Sequence, residues 1–223
     1  MRVPVGRPVA VGRRLIDLKP ELFTAILQTI DAGWEIALKR PEVKPDAGEV
    51  QMTECLRDAM REALISKKLP WRKTMIIAPG TESRSQPGMT VPDGRTDIPL
   101  FLTTVFAASG EHDPHAIIEC KRVAEGDAHL AREYVVEGID RFRTGKYAAN
   151  HARGFMVGYV VAGASNGVVD GINKYLAGRR RKHESLESWT VAGVVSAWIS
   201  HHDRPSSSTQ IRLHHAMALV PGC

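Results

Sequence analysis

An acidic residue and a lysine stand two positions apart where an apolar run in the middle of the chain ends. The run covers residues 116–118, and Glu119-Cys120-Lys121 follows it. Side chains two positions apart on a strand leave the same face, so this carboxylate and this ammonium lie side by side. Burying them is costly unless a metal, a partner charge or catalysis compensates, and Asp97 on the preceding predicted strand is the natural second carboxylate.

Two carboxylates beside a lysine form a reasonable site for Mg²⁺ or Mn²⁺, which prefer oxygen ligands and keep waters to share with a phosphate. Such an ion offsets the charge that develops during phosphodiester hydrolysis, and the lysine can position the attacking water or help to deprotonate it. The pattern E-x-K is common, and Glu42-Val43-Lys44 is a second copy in a proline-flanked linker. Only the copy at 119–121 closes an apolar strand.

Helical and strand patterns alternate along the chain around this triplet. Apolar residues recur with helical spacing over 20–40 and 49–68, and short apolar or β-branched runs predict strands. The predicted strands are 74–78, 95–106, 115–123, 154–161 and 211–220, and the later helices are 127–147 and 167–178. A stretch rich in Gly, Ser and Pro over 79–94 indicates a long connection.

The order of these elements predicts an α/β protein with a mixed sheet. Three successive strands indicate an antiparallel meander, and the strand, helix and strand that follow indicate a parallel pair joined by a crossover. Asp127 is a suitable N-cap for the crossover helix. We therefore expect an αβββαβ core within 46–223, with a further C-terminal helix and strand. An N-terminal helical extension over 1–45 precedes it, and both parts form one compact unit.

Asp97 and Ile118-Glu119-Cys120-Lys121, placed in this order of elements, resemble the PD-(D/E)XK nuclease superfamily with its restriction-endonuclease-like fold. The resemblance covers about residues 49–163, and Thr96 stands where the superfamily usually has proline. It implies that Asp97 and Glu119 bind the catalytic metal, Mg²⁺ or Mn²⁺. It also implies that the backbone carbonyl of Cys120 completes the metal's shell and that Lys121 is the catalytic lysine.

Neighbouring helices supply further candidates. Some members of the superfamily add a glutamate from the first core helix, and Glu54 is the candidate metal ligand here, although its helical angle equally fits a solvated side chain. We expect the first turns of the crossover helix to overhang the site, where the helix dipole favours a phosphate. His129 and Arg132 are the predicted nucleic-acid contacts, and pairing of Arg132 with a nearby glutamate is the alternative.

The spacing of the two acidic strands predicts a distortion. With a tight turn over 107–114, Asp97 would pair about three residues beyond Lys121 rather than opposite Glu119. A bulge must then correct the register, and Pro99, which cannot donate to a ladder, is its expected position.

Composition bears on the partner, the compartment and the possibility of a membrane span. The chain has 30 Lys+Arg against 25 Asp+Glu, a net charge of +5 that suits a polyanionic partner. Its longest apolar stretch, 154–164, is too short to cross a bilayer. Three scattered cysteines fit a reducing cytoplasm, and the paired histidines at 201–202 and 214–215 lack the spacing of a zinc site.

The sequence thus predicts a cytoplasmic, metal-dependent nuclease that hydrolyses phosphodiester bonds of DNA. A role in bacterial defence follows from the resemblance alone. The alternative is a non-catalytic nucleic-acid-binding or assembly subunit that keeps the fold. The sequence leaves open whether the chain forms a homodimer or joins a larger assembly with another protein.

Overall fold

The computed structural model describes residues 15–83, 94–194, 196–205 and 209–222. Residues 1–14 of the predicted extension and 84–93 of the predicted connection lie outside these ranges. Within them, no helix combines the length and the apolar character that a membrane span requires.

A mixed seven-stranded sheet forms the centre of the described fold, which confirms the α/β class. Its order is β1-β4-β5-β6-β9-β8-β7, and β2 pairs separately with β3. The pairs β5/β6 and β6/β9 are parallel and the other pairs are antiparallel, as the predicted meander and crossover require. The strands are β1 Met75–Ile77, β2 Glu82–Ser83, β3 Gly94–Arg95, β4 Ile98–Leu102, β5 Ala116–Ala124, β6 Arg153–Ala162, β7 Glu187–Ser188, β8 Ala197–Asp203 and β9 Gln210–Leu219.

Helices cover both faces of this sheet, because its central strands bury apolar side chains on both sides. On β6, Phe155 and Val157 pack in one cluster with α1 and α2, whereas Met156 and Val160 pack in a second cluster with α4 and α6. The extension helix α1 therefore contributes to the same core as α2. The helices are α1 Pro20–Ala37, α2 Glu49–Ser66, α3 Thr103–Ser109, α4 Ala128–Tyr134, α5 Asp140–Arg143 and α6 Ser165–Gly178.

The connection between β4 and β5 corrects the predicted register. The strand expected over 95–106 ends at Leu102, and α3 follows it until Gly110 closes the helix with a left-handed backbone (φ 68°). Because a helix replaces the tight turn, Ile98 pairs directly with Ile118. Asp97 then falls opposite Glu119 without any bulge. The bulge predicted at Pro99 is wrong, since Pro99 pairs with Ile117 in the same regular register.

The crossover helix differs from its prediction in form. Asp127 is confirmed as its N-cap, because its carboxylate accepts the backbone N–H groups of His129 and Leu130. The helix does not run straight to 147. After α4 the backbone makes one π-helical turn, Val135–Ile139, and continues as α5 only to Arg143. A π turn holds one residue more than an α turn and so shifts the face that every later residue presents.

Strand β8 was not predicted, because its sequence carries polar residues at buried positions. Ser200 and His202 are fully buried there, and His215 is fully buried on the neighbouring β9. Short apolar or β-branched runs predict strands, and these polar side chains interrupt such a run after Ile199.

Gly154 on β6 is a buried glycine at which an added methyl group would collide with side chains. A Cβ at this position would lie 2.7 Å from the ring of Phe142 and 2.8 Å from a methyl group of Leu213. We expect Gly154→Ala to lower the free energy of unfolding by about 1–3 kcal/mol, measured by chemical denaturation. Gly171 in α6 has open space around it, so Gly171→Ala is expected to raise stability by up to about 1 kcal/mol. Equal stability of the two variants would contradict this packing.

Candidate active site

Two acidic side chains satisfy the backbone of β5 where β4 stops pairing with it. The β4 ladder ends at the pair Ile98 and Ile118. Beyond it, Asp97 Oδ2 accepts the backbone N–H of Cys120 at 2.7 Å, and Glu49 Oε2 accepts that of Arg122 at 3.2 Å. Carboxylate oxygens thus replace strand carbonyls as acceptors. This open stretch of β5 brings both acids to the Glu119-Cys120-Lys121 triplet.

Lys121 is buried among oxygen atoms. Its Nζ donates to Glu49 Oε1 at 2.7 Å and to the carbonyl of Cys120 at 2.9 Å, and it lies 3.0 Å from Glu119 Oε1. Burial alone would lower the pKa of Lys121, but the carboxylates of Glu119 and Glu49 outweigh it and hold this pKa above the ordinary value. An ammonium with three acceptors serves as a fixed positive charge rather than as a base.

Glu119 is fully buried and only half satisfied. Its Oε1 accepts from Arg141 Nη1 at 2.9 Å and lies beside Lys121, whereas its Oε2 has no hydrogen-bond partner among the described residues. Burial and the nearby charge of Asp97 raise the pKa of Glu119 to about 8. Burial also raises the pKa of Asp97, although Lys121 and the Cys120 amide oppose it. Additional positive charge at the site would therefore stabilise the ionised forms of both acids.

Arg141 and Tyr147 complete the site and were missed by sequence reasoning. Arg141 Nη1 donates to Glu119 and, at 2.8 Å, to the hydroxyl of Tyr147, which donates to the carbonyl of Arg95 at 2.7 Å. A straight helix drawn from the sequence places Arg141 on another face, because only the π turn brings it over Glu119. Gly138 lets the π turn lie close to the sheet, because a Cβ at this position would lie 2.5 Å from the end of the Met156 side chain on β6.

The structure brings Asp97, Glu119, Lys121 and the Cys120 carbonyl together as the sequence predicts. Glu54 is exposed and makes no ion pair with Lys121; it lines a cleft of about 130 Å³ that Glu49 and Asp97 also line. The glutamate of α2 that contacts Lys121 is Glu49, in the first turn. Its position just after Gly48, at the predicted start of the helix, was the signal that could have identified it.

His129 and Arg132 lie away from the contacts of the triplet. Both are exposed on α4, and His129 Nε2 is 3.3 Å from Glu133 Oε1, whereas Arg132 has no ion pair among the described residues. The helix residues that meet Glu119 and Lys121 are Arg141 and Gly138, so the expected overhang by the first turns is wrong. Strand β5 continues about 16 Å past Glu119 before the helix starts back, so only its later turns reach the site.

No family model, curated protein or solved structure matches this chain. The site must therefore be interpreted from its own geometry.

The donor atoms at the triplet fit a small divalent cation. Three carboxylates, from Glu49, Asp97 and Glu119, face the two cations of Lys121 and Arg141. Glu119 Oε2, which has no hydrogen-bond partner among the described residues, and the carboxylate of Asp97 are oxygen donors of the kind that Mg²⁺ and Mn²⁺ prefer. These ions also keep several waters. Across the described residues, no group of three or more His, Cys, Asp or Glu side chains is placed so that together they could hold a metal ion. An ion held here would be bound by two acids and waters.

Proposed function

We propose that this protein is a metal-dependent nuclease that hydrolyses phosphodiester bonds of DNA at the Asp97, Glu119 and Lys121 site. The observation that carries the proposal is the fully buried Glu119, whose Oε2 has no hydrogen-bond partner among the described residues. Burial and the nearby charge of Asp97 raise its pKa. Burying an acid without a full set of hydrogen bonds costs free energy, and such acids are common at catalytic or metal-binding sites. The order α2, β1, β4, β5, α4, β6 supports a restriction-endonuclease-like core within this proposal.

Each side chain then has a distinct role. Asp97 and Glu119 would hold Mg²⁺ or Mn²⁺, and the Cys120 carbonyl lies at the same open edge of β5. A bound ion of this kind lowers the pKa of a coordinated water and neutralises charge on the phosphate. Lys121 remains protonated and stabilises the negative charge that develops in the transition state. Glu49 keeps the ammonium of Lys121 in place.

The choice of DNA as substrate rests on charge and on the family resemblance. The chain carries a net charge of +5, and Arg57 and Arg95 line the cleft beside Asp97. The same resemblance suggests a role in defence against foreign DNA, with a second copy or another protein as partner. The cytoplasm is the proposed compartment, where the buried thiols of Cys55 and Cys120 stay reduced.

The proposal is tested by incubating the protein with supercoiled plasmid, linear duplex and single-stranded DNA in Mg²⁺, Mn²⁺ or EDTA. We expect cleavage with either metal and none in EDTA, and the preferred substrate separates nicking from digestion at ends. DNA binding that persists in EDTA, with no cleavage in Mn²⁺, would overturn the proposal in favour of a non-catalytic binding subunit.

Two glutamates on α2 give a matched comparison within the site. Glu49 contacts Lys121 Nζ and the backbone N–H of Arg122, whereas Glu54 is exposed. We expect Glu49→Gln to slow cleavage by about tenfold or more, because Lys121 loses a charged partner. Glu54→Gln is expected to remain within about twofold of wild type. Initial rates in Mg²⁺ measure both, and a larger loss in the Glu54 variant would assign the helix glutamate to that position instead.

A further inference from the structure

Five buried side chains form a continuous hydrogen-bonded chain on the helix-covered face opposite α1 and α2. Glu184 Oε2 bonds His202 Nδ1, and His202 Nε2 lies 2.6 Å from Ser200 Oγ. Ser200 Oγ lies 2.7 Å from His215 Nε2, and His215 Nδ1 lies 2.9 Å from the hydroxyl of Tyr134. All five residues are at most 2% exposed. We call this set the polar chain.

The donors and acceptors of the polar chain admit one consistent order. Burial tends to raise the pKa of Glu184, but His202 and Arg181 lower it to about 2, so the carboxylate accepts. Burial lowers the pKa of His202 and that of His215, so both imidazoles are neutral. His202 then donates through Nδ1 and accepts at Nε2 from Ser200. Ser200 in turn accepts from His215 Nε2–H, and His215 Nδ1 accepts from Tyr134. Every member is satisfied with both imidazoles neutral, so removing one hydroxyl leaves its neighbours unpaired.

Glu184 also anchors the short helix α5. Its Oε1 lies 3.5 Å from Arg143 Nε, and its Oε2 accepts from Arg181 Nη2 at 2.6 Å. Arg181 reaches α5 as well, because its Nη1 lies 2.8 Å from Asp140 Oδ1. One carboxylate therefore connects β8 with both ends of the four-residue helix.

The polar chain and this anchor hold the residues on either side of the π turn. Tyr134 immediately precedes Val135–Ile139, and α5 immediately follows it. Arg141, which donates a hydrogen bond to Glu119, belongs to α5. We propose that the polar chain is a positioning device that fixes the π turn and so holds Arg141 on Glu119. Its effect on catalysis rests on the proposed function, whereas its effect on the π turn does not.

The test removes the central hydroxyl of the polar chain and compares it with a matched control. Ser200→Ala interrupts the polar chain, and Thr29→Val removes another buried hydroxyl, which accepts from Trp71 Nε1 in the α1 layer. Backbone hydrogen exchange of the segment 134–143 is expected to speed up by about tenfold in Ser200→Ala and to stay at the wild-type rate in Thr29→Val. Unchanged exchange in Ser200→Ala, with both variants folded, would overturn the inference.

Cleavage kinetics then test the connection to Arg141. Ser200→Ala is expected to lower kcat by about tenfold with little change in KM, because a misplaced site loses transition-state stabilisation rather than binding. In an Arg141→Gln background the same substitution should have no further effect. Additive losses, or a wild-type kcat in Ser200→Ala, would overturn the connection. If the wild-type protein cuts no DNA, the proposed function fails, and hydrogen exchange alone decides whether the polar chain fixes the π turn.

Discussion

Lys121→Met is expected to lower the rate of DNA cleavage by about 10² to 10⁴-fold, the range typical for removal of a positioned charged group from an active site. Methionine keeps much of the length of the side chain but supplies no charge for Glu49, Glu119 or the Cys120 carbonyl. Initial rates of plasmid cleavage in Mg²⁺ measure the effect, at a temperature where circular dichroism shows both proteins folded.

Lys174→Met provides the control for loss of a lysine elsewhere. Lys174 is exposed on α6, and its replacement removes the same charge from the surface. We expect this variant to cleave within about threefold of wild type, with any loss reflecting weaker binding of the DNA backbone. Equal rates for Lys121→Met and wild type would place the chemistry at another site.

Stability without metal is expected to depend on pH through Glu119. Its pKa is about 8 in the folded protein against an ordinary value of 4.5. Between these pH values the carboxyl group is therefore protonated in the folded state and ionised in the unfolded state. The contribution of Glu119 to the free energy of unfolding is therefore fully present below pH 4.5 and is lost as the pH rises to 8. The loss is on the order of 4 kcal/mol.

The comparison with Glu119→Gln isolates this contribution from other groups. Chemical denaturation in EDTA at pH 5 and pH 8 should show the free energy of wild type falling relative to that of the variant as the pH rises. Adding Mn²⁺ at pH 8 should stabilise the wild type and leave Glu119→Gln nearly unchanged. A difference between the two proteins that is constant with pH would show that Glu119 ionises normally.

Local signals in the sequence identified the elements that carry the triplet. Residues 116–118 are buried in β5 as their apolar run predicts, and Asp127 caps the next helix as its side chain predicts. The strand, helix and strand that follow form the expected parallel pair. These features depend on a few neighbouring residues, which is why sequence patterns are sufficient for them.

Features set by distant contacts could not be predicted in the same way. The register of Asp97 depends on α3, whose exposed residues show no core-facing stripe. Arg141 reaches Glu119 through the π turn, in which Gly138 packs against the end of the Met156 side chain. Ser200 and His202 are of residue types that are common at surfaces, and they are buried because Glu184 and His215 satisfy their polar atoms. In each case, the deciding partner lies far away along the chain.

The proposed function requires Asp97 and Glu119 together to bind a divalent cation. Calorimetric titration with Mn²⁺ at pH 7.5 tests it directly, in wild type, Asp97→Asn and Glu119→Gln. Glu62→Gln is the control, because Glu62 pairs with Arg40 away from the triplet. We predict saturable binding in wild type and Glu62→Gln, and a loss of affinity by at least about tenfold in the two site variants. Wild-type affinity in Asp97→Asn and Glu119→Gln would show that these two acids do not bind the metal.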